Sequence, residues 1–176
     1  MADVLISIRP EWVKKIISGE KTVELRRSAP KMPTPFRCFI YETQGSGGSG
    51  KVIGVFTCRE ITHYFMVGTE RSNLHYVQTI GHRRIPVQYE PLQLTEHEMK
   101  TYGNGSRLYG WHISSIRVFN EPKPLSVFHR PCANVLFCES CGMFNQHPEP
   151  GFCGNAALQI SRPPQSWCYV EEQFYA

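Results

Sequence analysis

No stretch of this chain approaches the ~18 consecutive apolar residues that a membrane-spanning helix requires, and no basic N-terminal segment leads into an apolar run as in a secretory leader. The expectation is a cytoplasmic protein with no membrane partner. Charge of one sign is also scarce: the formal net charge is +4 and the pI about 8.7, short of the pI above ~9 that marks a strong nucleic-acid footprint. An anionic partner is permitted but not demanded. The glycines of Gly45-Ser-Gly-Gly-Ser-Gly50 are followed by neither Gly-Lys-Ser/Thr nor a helix start, so they read as a flexible connector and not as a phosphate-cradling loop. No internal repeat is visible. The cysteine total is odd, seven, which with no secretory segment argues against a disulfide framework.

What is present begins at the N-terminus. Val4-Leu-Ile-Ser-Ile-Arg9 reads as a strand, Pro10 to Ser18 as a helix and Thr22-Val-Glu-Leu-Arg26 as a second strand. Pro10 suits the first helical position, Trp12, Val13, Ile16 and Ile17 form an apolar stripe, and Gly19 stands where a helix needs a left-handed cap. In the second strand Val23 and Leu25 face the core, while Thr22, Glu24 and Arg26 share the opposite face. Taken alone, Glu24 and Arg26 are a same-face ion pair on a solvated strand, worth about 0–1 kcal/mol.

Further along, Arg37 to Thr43, Lys51 to Ile61 and Arg107 to Val118 have strand character, with Trp111 and His112 on opposite faces of the last. Residues 65–106 show no clear period until Thr95-Glu-His-Glu98, a capping box that predicts a short helix to Tyr102, ended by Gly103 and Gly105. Arg71, His75, His82, Arg83, Arg84 and Tyr89 mix cations with aromatics in this region, a composition that suits a phosphate backbone and bases as well as a solvated loop. Length and the 41% hydrophobic content suit one domain over residues 1–176.

Cys132, Cys138, Cys141 and Cys153 cluster. Cys138-Glu-Ser-Cys141 lets two thiolates reach one tetrahedral ion, Cys132 and Cys153 complete a four-sulfur set, and His129 and His147 are substitute ligands. Proline and glycine make the segment irregular, which disfavours a redox-active pair at a helix start. The expectation is structural zinc, with reduced unmetallated thiols as the other reading. Phe128, Phe137, Phe144 and Phe152 then read as a miniature core around the ion, or as a surface docking a protein partner.

Gly19-Glu-Lys21-Thr22-Val-Glu24-Leu-Arg26, with the strand and helix before it, resembles the opening motif of ASCH domains in the PUA-like superfamily. Lys51-Val-Ile-Gly-Val-Phe56, Tyr109-Gly-Trp-His-Ile113 and Lys123-Pro-Leu125 resemble later parts of the family pattern, and Pro163-Pro-Gln-Ser-Trp167 is similar to bacterial and prophage members. Residues 66–106 and 129–160 lie outside the resemblance and read as insertions, the second cysteine-rich. The resemblance implies an α+β fold: a small, partly open, mixed PUA-like β-barrel with a short helix after the first strand, and a cleft beside the helix that receives RNA or a modified nucleoside or nucleotide. Carried onto this chain, the ligand-binding residues are Ser7, Arg9, Lys21, Thr22, Glu24 and Arg26, with Trp111 or His112 closing the other side. A related branch hydrolyses N4-acetylcytidine with a lysine and a threonine nucleophile. Lys21 and Thr22 match it, but Glu24 occupies the nucleophile's position and cannot act as the same acyl acceptor. Ribonuclease or other hydrolytic chemistry would use Lys21, Glu24 and Arg26 as catalytic residues. Binding without turnover is the principal expectation.

Overall fold

Among the described residues two short α-helices and nine strands form, the strands because β-branched and aromatic residues concentrate in alternating runs punctuated by glycine and proline. The computed structural model describes residues 3–68, 73–132 and 155–172. The elements are β1 (Asp3–Ile8), α1 (Pro10–Ile17), β2 (Val23–Arg26), β3 (Phe36–Glu42), β4 (Val52–Val67), β5 (His75–Ile80), β6 (Arg83–Pro86), α2 (Glu96–Gly103), β7 (Leu108–Lys123), β8 (Phe128–His129) and β9 (Trp167–Glu172).

They fall into two compact units. The described residues of the first come from Met1–Arg9, Cys38–Gly54 and Phe119–Ala176. There β1 runs parallel to β3, with Val4 opposite Cys38, and antiparallel to β9, with Val4 opposite Tyr169. β9 pairs in turn with β8. Val4, Leu5, Ile6, Phe39, Ile40, Phe128 and Val170 are buried, and the Phe39 and Phe128 rings meet edge-to-face with centroids 4.9 Å apart. Near-continuous apolar runs such as Val4 to Ile6 are what a strand paired on both edges and covered on both faces needs.

The second unit, Pro10–Arg37 and Val55–Val118, contains both helices. Its strands lie in the order β2, β7, β4, β5, β6. Val23, Leu25, Tyr64, Tyr76, Val87, Leu92, Met99 and Leu108 form its core. The stretch lacking a sequence period before Thr95 therefore supplies two strands and three core side chains, Tyr76, Val87 and Leu92. β5 and β6 join through Gly81, whose φ of +58° is a conformation only glycine adopts easily. The capping box of α2 is formed: Thr95 Oγ1 accepts from the Glu98 amide at 3.2 Å, and Glu98 Oε2 accepts from the Thr95 amide at 2.7 Å. Asn104, with φ of +46°, takes the left-handed position that ends the helix, instead of the neighbouring glycines.

The family resemblance leads one to expect a small, partly open β-barrel, and the described strands make a mixed sheet that does not close. The strand path has free ends at β2 and β8 and does not return on itself, so the sheet is open. β5 and β6 branch off this path, extending from the C-terminal half of β4. Cys138, Cys141 and Cys153 lie outside the described residues, as do His147 and Arg71, whereas Cys132 is half-buried. Among the described residues no group of three or more His, Cys, Asp or Glu is set to hold a metal, and no helix is long and apolar enough to cross a membrane.

Candidate functional site

The end of α1 positions the site. Gly19, at φ of +80°, reverses the chain, and the Lys21 amide then donates to the Lys15 carbonyl at 2.9 Å. The next two amides, of Thr22 and Val23, both donate to the Pro91 carbonyl at 3.0 Å, and the Thr22 carbonyl accepts from Ile113 at 2.9 Å. β2 is thus held against β7 on one side and the 89–93 turn on the other. Glu24 stands opposite Trp111 and Arg26 opposite Tyr109.

Within this frame Lys21, Glu24 and Arg26 meet. Glu24 Oε1 lies 3.0 Å from Arg26 Nη2, and Glu24 Oε2 lies 3.6 Å from Lys21 Nζ. Lys21 also donates to the Leu92 carbonyl at 2.5 Å and sits 5.0 Å over the Trp12 ring. Their relative exposures are only 3%, 7% and 8%, so the solvated ion pair suggested by alternation alone is instead a buried triad. One carboxylate shared by two cations leaves the cluster with a net positive charge. Burial pushes the Lys21 amine below its usual range, against the opposing pull of Glu24.

Two aromatic neighbours were not singled out in the sequence. Trp12, half-buried, lies beneath both Lys15, at 5.3 Å, and Lys21. Tyr102 is 37% exposed; its phenol is raised by burial, lowered by Arg26 and raised by Glu24, which places it within electrostatic reach of the triad. Arg27 fixes it, donating to the Tyr102 carbonyl at 2.9 and 2.6 Å and lying 5.0 Å over its ring. The apolar stripe of α1 contained Trp12, but nothing local in the sequence links Tyr102 or Leu92 to Lys21 across some 70–80 positions.

The remaining expected site residues are placed differently. Trp111 is fully buried, edge-on to Phe36 at 5.7 Å. His112 Nε2 lies 2.7 Å from Thr62 Oγ1. Thr22 is exposed, and its backbone carries the contacts described above. Ser7 and Arg9 belong to the first unit, where the Ser7 hydroxyl donates to the Pro164 carbonyl at 2.6 Å and Arg9 is exposed.

Residues 6–122, which include the whole triad and its frame, match the sequence model of the ASCH domain. The chain belongs to the ASCH domain family. This ASCH domain is also similar in fold to the ASCH protein of Zymomonas mobilis, at 23% identity and a TM-score of 0.51, covering 97% of this chain and 88% of that one. A serine-to-alanine variant of the same protein superposes with a TM-score of 0.54 at 22% identity, over 97% and 89% of the two chains. No curated protein matches this ASCH domain.

Proposed function

We propose that this chain binds RNA, through a phosphate and its adjoining base or modified nucleoside, at the Lys21–Glu24–Arg26 triad. ASCH domains are generally RNA-binding, and the single observation that carries the reading is the buried excess of positive charge. Burying three charged groups costs several kcal/mol per ion before pairing, and well-packed apolar side chains would avoid that cost. A fold that keeps two cations on one carboxylate is electrostatically suited to an anion. Lys21 and Arg26 donate to phosphate or a base carbonyl, Glu24 orients both, and Trp12 and Tyr102 offer faces for a base. Ser7, Arg9 and Thr22 take no direct part in this reading.

The test is fluorescence anisotropy of labelled single-stranded RNA with wild type and Arg26→Gln, with thermal melting as the folding control. Arg26→Gln is expected to weaken binding at least tenfold while a cooperative melt persists. Unchanged affinity in a folded Arg26→Gln protein would overturn the reading.

Hydrolysis is a second reading, supported by the lowered proton affinity of Lys21. Glu24, with both oxygens engaged by cations, is poorly free to take a proton, so the role of general base falls to Lys21 and that of anion stabiliser to Arg26. RNA recovered intact after long incubation with wild type would exclude a ribonuclease. Zinc held by Cys132, Cys138, Cys141 and Cys153 is proposed as structural, since four thiolates leave no open position for a catalytic water.

A further inference from the structure

We infer that the sheet face beyond the triad is a track for single-stranded RNA, made by Tyr109, His63, Phe65, Arg107 and Arg84. The inference rests on the RNA reading of the triad and extends it from one nucleotide to a strand. Residues directly opposite one another on neighbouring antiparallel strands share a face. By that rule Arg26 of the triad shares a face with Tyr109, and His63 shares one with Thr79 and Arg84. Phe65 likewise lies opposite Val77, which lies opposite Pro86.

Ring contacts join these rows into one surface. His63 meets Tyr109 edge-on at 5.2 Å and Phe65 at 6.3 Å. Two guanidinium groups lie over Phe65, that of Arg107 at 4.5 Å and that of Arg84 at 5.8 Å. His63, Arg84 and Arg107 are exposed, and Phe65 and Tyr109 half-exposed. From β2 to β6 the face crosses four strand spacings, about 19 Å, which is several nucleotides.

The chemistry selects the occupant. Aromatic rings and guanidinium planes stack on unpaired bases regardless of sequence, and flanking cations meet the backbone. None of the paired positions named on this face beyond the triad is a carboxylate. A duplex buries its base faces, so the stack would be wasted on it. The occupant is therefore a single strand whose one end is held at the triad.

The experiment compares a labelled dinucleotide with a 12-nucleotide single strand, across a salt series. Proteins are wild type, Arg26→Gln, the double variant Arg84→Gln/Arg107→Gln, and Phe65→Leu, which keeps the face apolar. For the 12-mer, the double variant should bind about tenfold more weakly, with a salt slope shallower by about 1.4, two phosphates at about 0.7 each. Phe65→Leu should lose roughly tenfold with the slope unchanged. The dinucleotide should lose less than about twofold in both, but tenfold in Arg26→Gln. If both track variants bind the 12-mer as wild type does while Arg26→Gln is weakened, the track is overturned and the triad reading stands. If wild type binds neither probe, the triad reading fails and the track with it. A blunt duplex that competes as well as the single strand would overturn the stacking mode.

Discussion

Lys21 carries its proton at a disadvantage, and the sign of the resulting pH dependence follows. Its folded pKa lies below the 10.5 of an exposed lysine, chiefly because burial disfavours the charged amine. Between the two values the unfolded chain binds more protons than the folded one, so stability rises with pH across that window. The penalty is fully present below the folded pKa. Lys21→Met should abolish this component: as pH rises toward 10.5 the wild-type Tm is expected to gain on that of Lys21→Met. Parallel Tm curves would show that burial is not felt at Lys21. Cys58 offers a second residue-scale expectation. Burial pushes its thiol up to about 12, and its sulfur points at the Glu60 carbonyl at 3.4 Å. It is expected to resist iodoacetamide at pH 8 in the native protein and to react on unfolding, as read by peptide mass spectrometry. Of the site residues, Glu24 and Arg26 are legible as a same-face pair from alternation, and Lys21 only through the family motif. Their burial is not: the groups that meet Lys21, Trp12 on α1 and the Leu92 carbonyl, are brought there by tertiary packing and not by local pattern.

Among the elements, α2 tests how local and tertiary requirements combine. Thr95→Ala removes the cap that the sequence announced, and is expected to lower Tm by about 2–4 °C. Gly103 is a different matter. A Cβ there would overlap the Tyr76 hydroxyl and stand 2.7 Å from its ring and 2.9 Å from Leu108, while that hydroxyl donates to the Ser106 carbonyl at 2.7 Å. Gly103→Ala should therefore cost at least about 1–3 kcal/mol through overpacking, more than Thr95→Ala, as measured by urea denaturation. The reverse order would mean that Tyr76 moves aside freely. The same elements mark the limits of sequence reading. Capping boxes and helix stripes are local, so α1 and α2 were visible to within a residue or so. β5 and β6 were not, because Gln78 is buried while Ile80 is exposed, and Pro86 interrupts the apolar period. β4 was read only to Ile61, since His63 and Thr62 disguise the alternation that Tyr64 and Phe65 continue.

On the scale of the whole molecule, the cysteine cluster is the proposal most readily decided by composition. Purified protein should carry about one zinc per chain by elemental analysis, and chelation should lower Tm, since metal binding contributes folding free energy to segments with little core. A metal-free protein with an unchanged melt would leave reduced thiols. The α+β class and the family were legible because the motif around Lys21 is continuous in sequence, whereas openness of the sheet depends on strands hundreds of atoms apart along the chain. Pairings of that range also set an order in time. β1 is made some 160 residues before its neighbour β9, with Val4 waiting for Tyr169 and Leu5 for Cys168. An emerging chain therefore presents Val4-Leu-Ile as an apolar edge with an empty register until β9 has been made. In the cell this protein's most exposed moment belongs to translation itself, and chaperone demand should fall on nascent chains that have β1 and β3 but not yet β9.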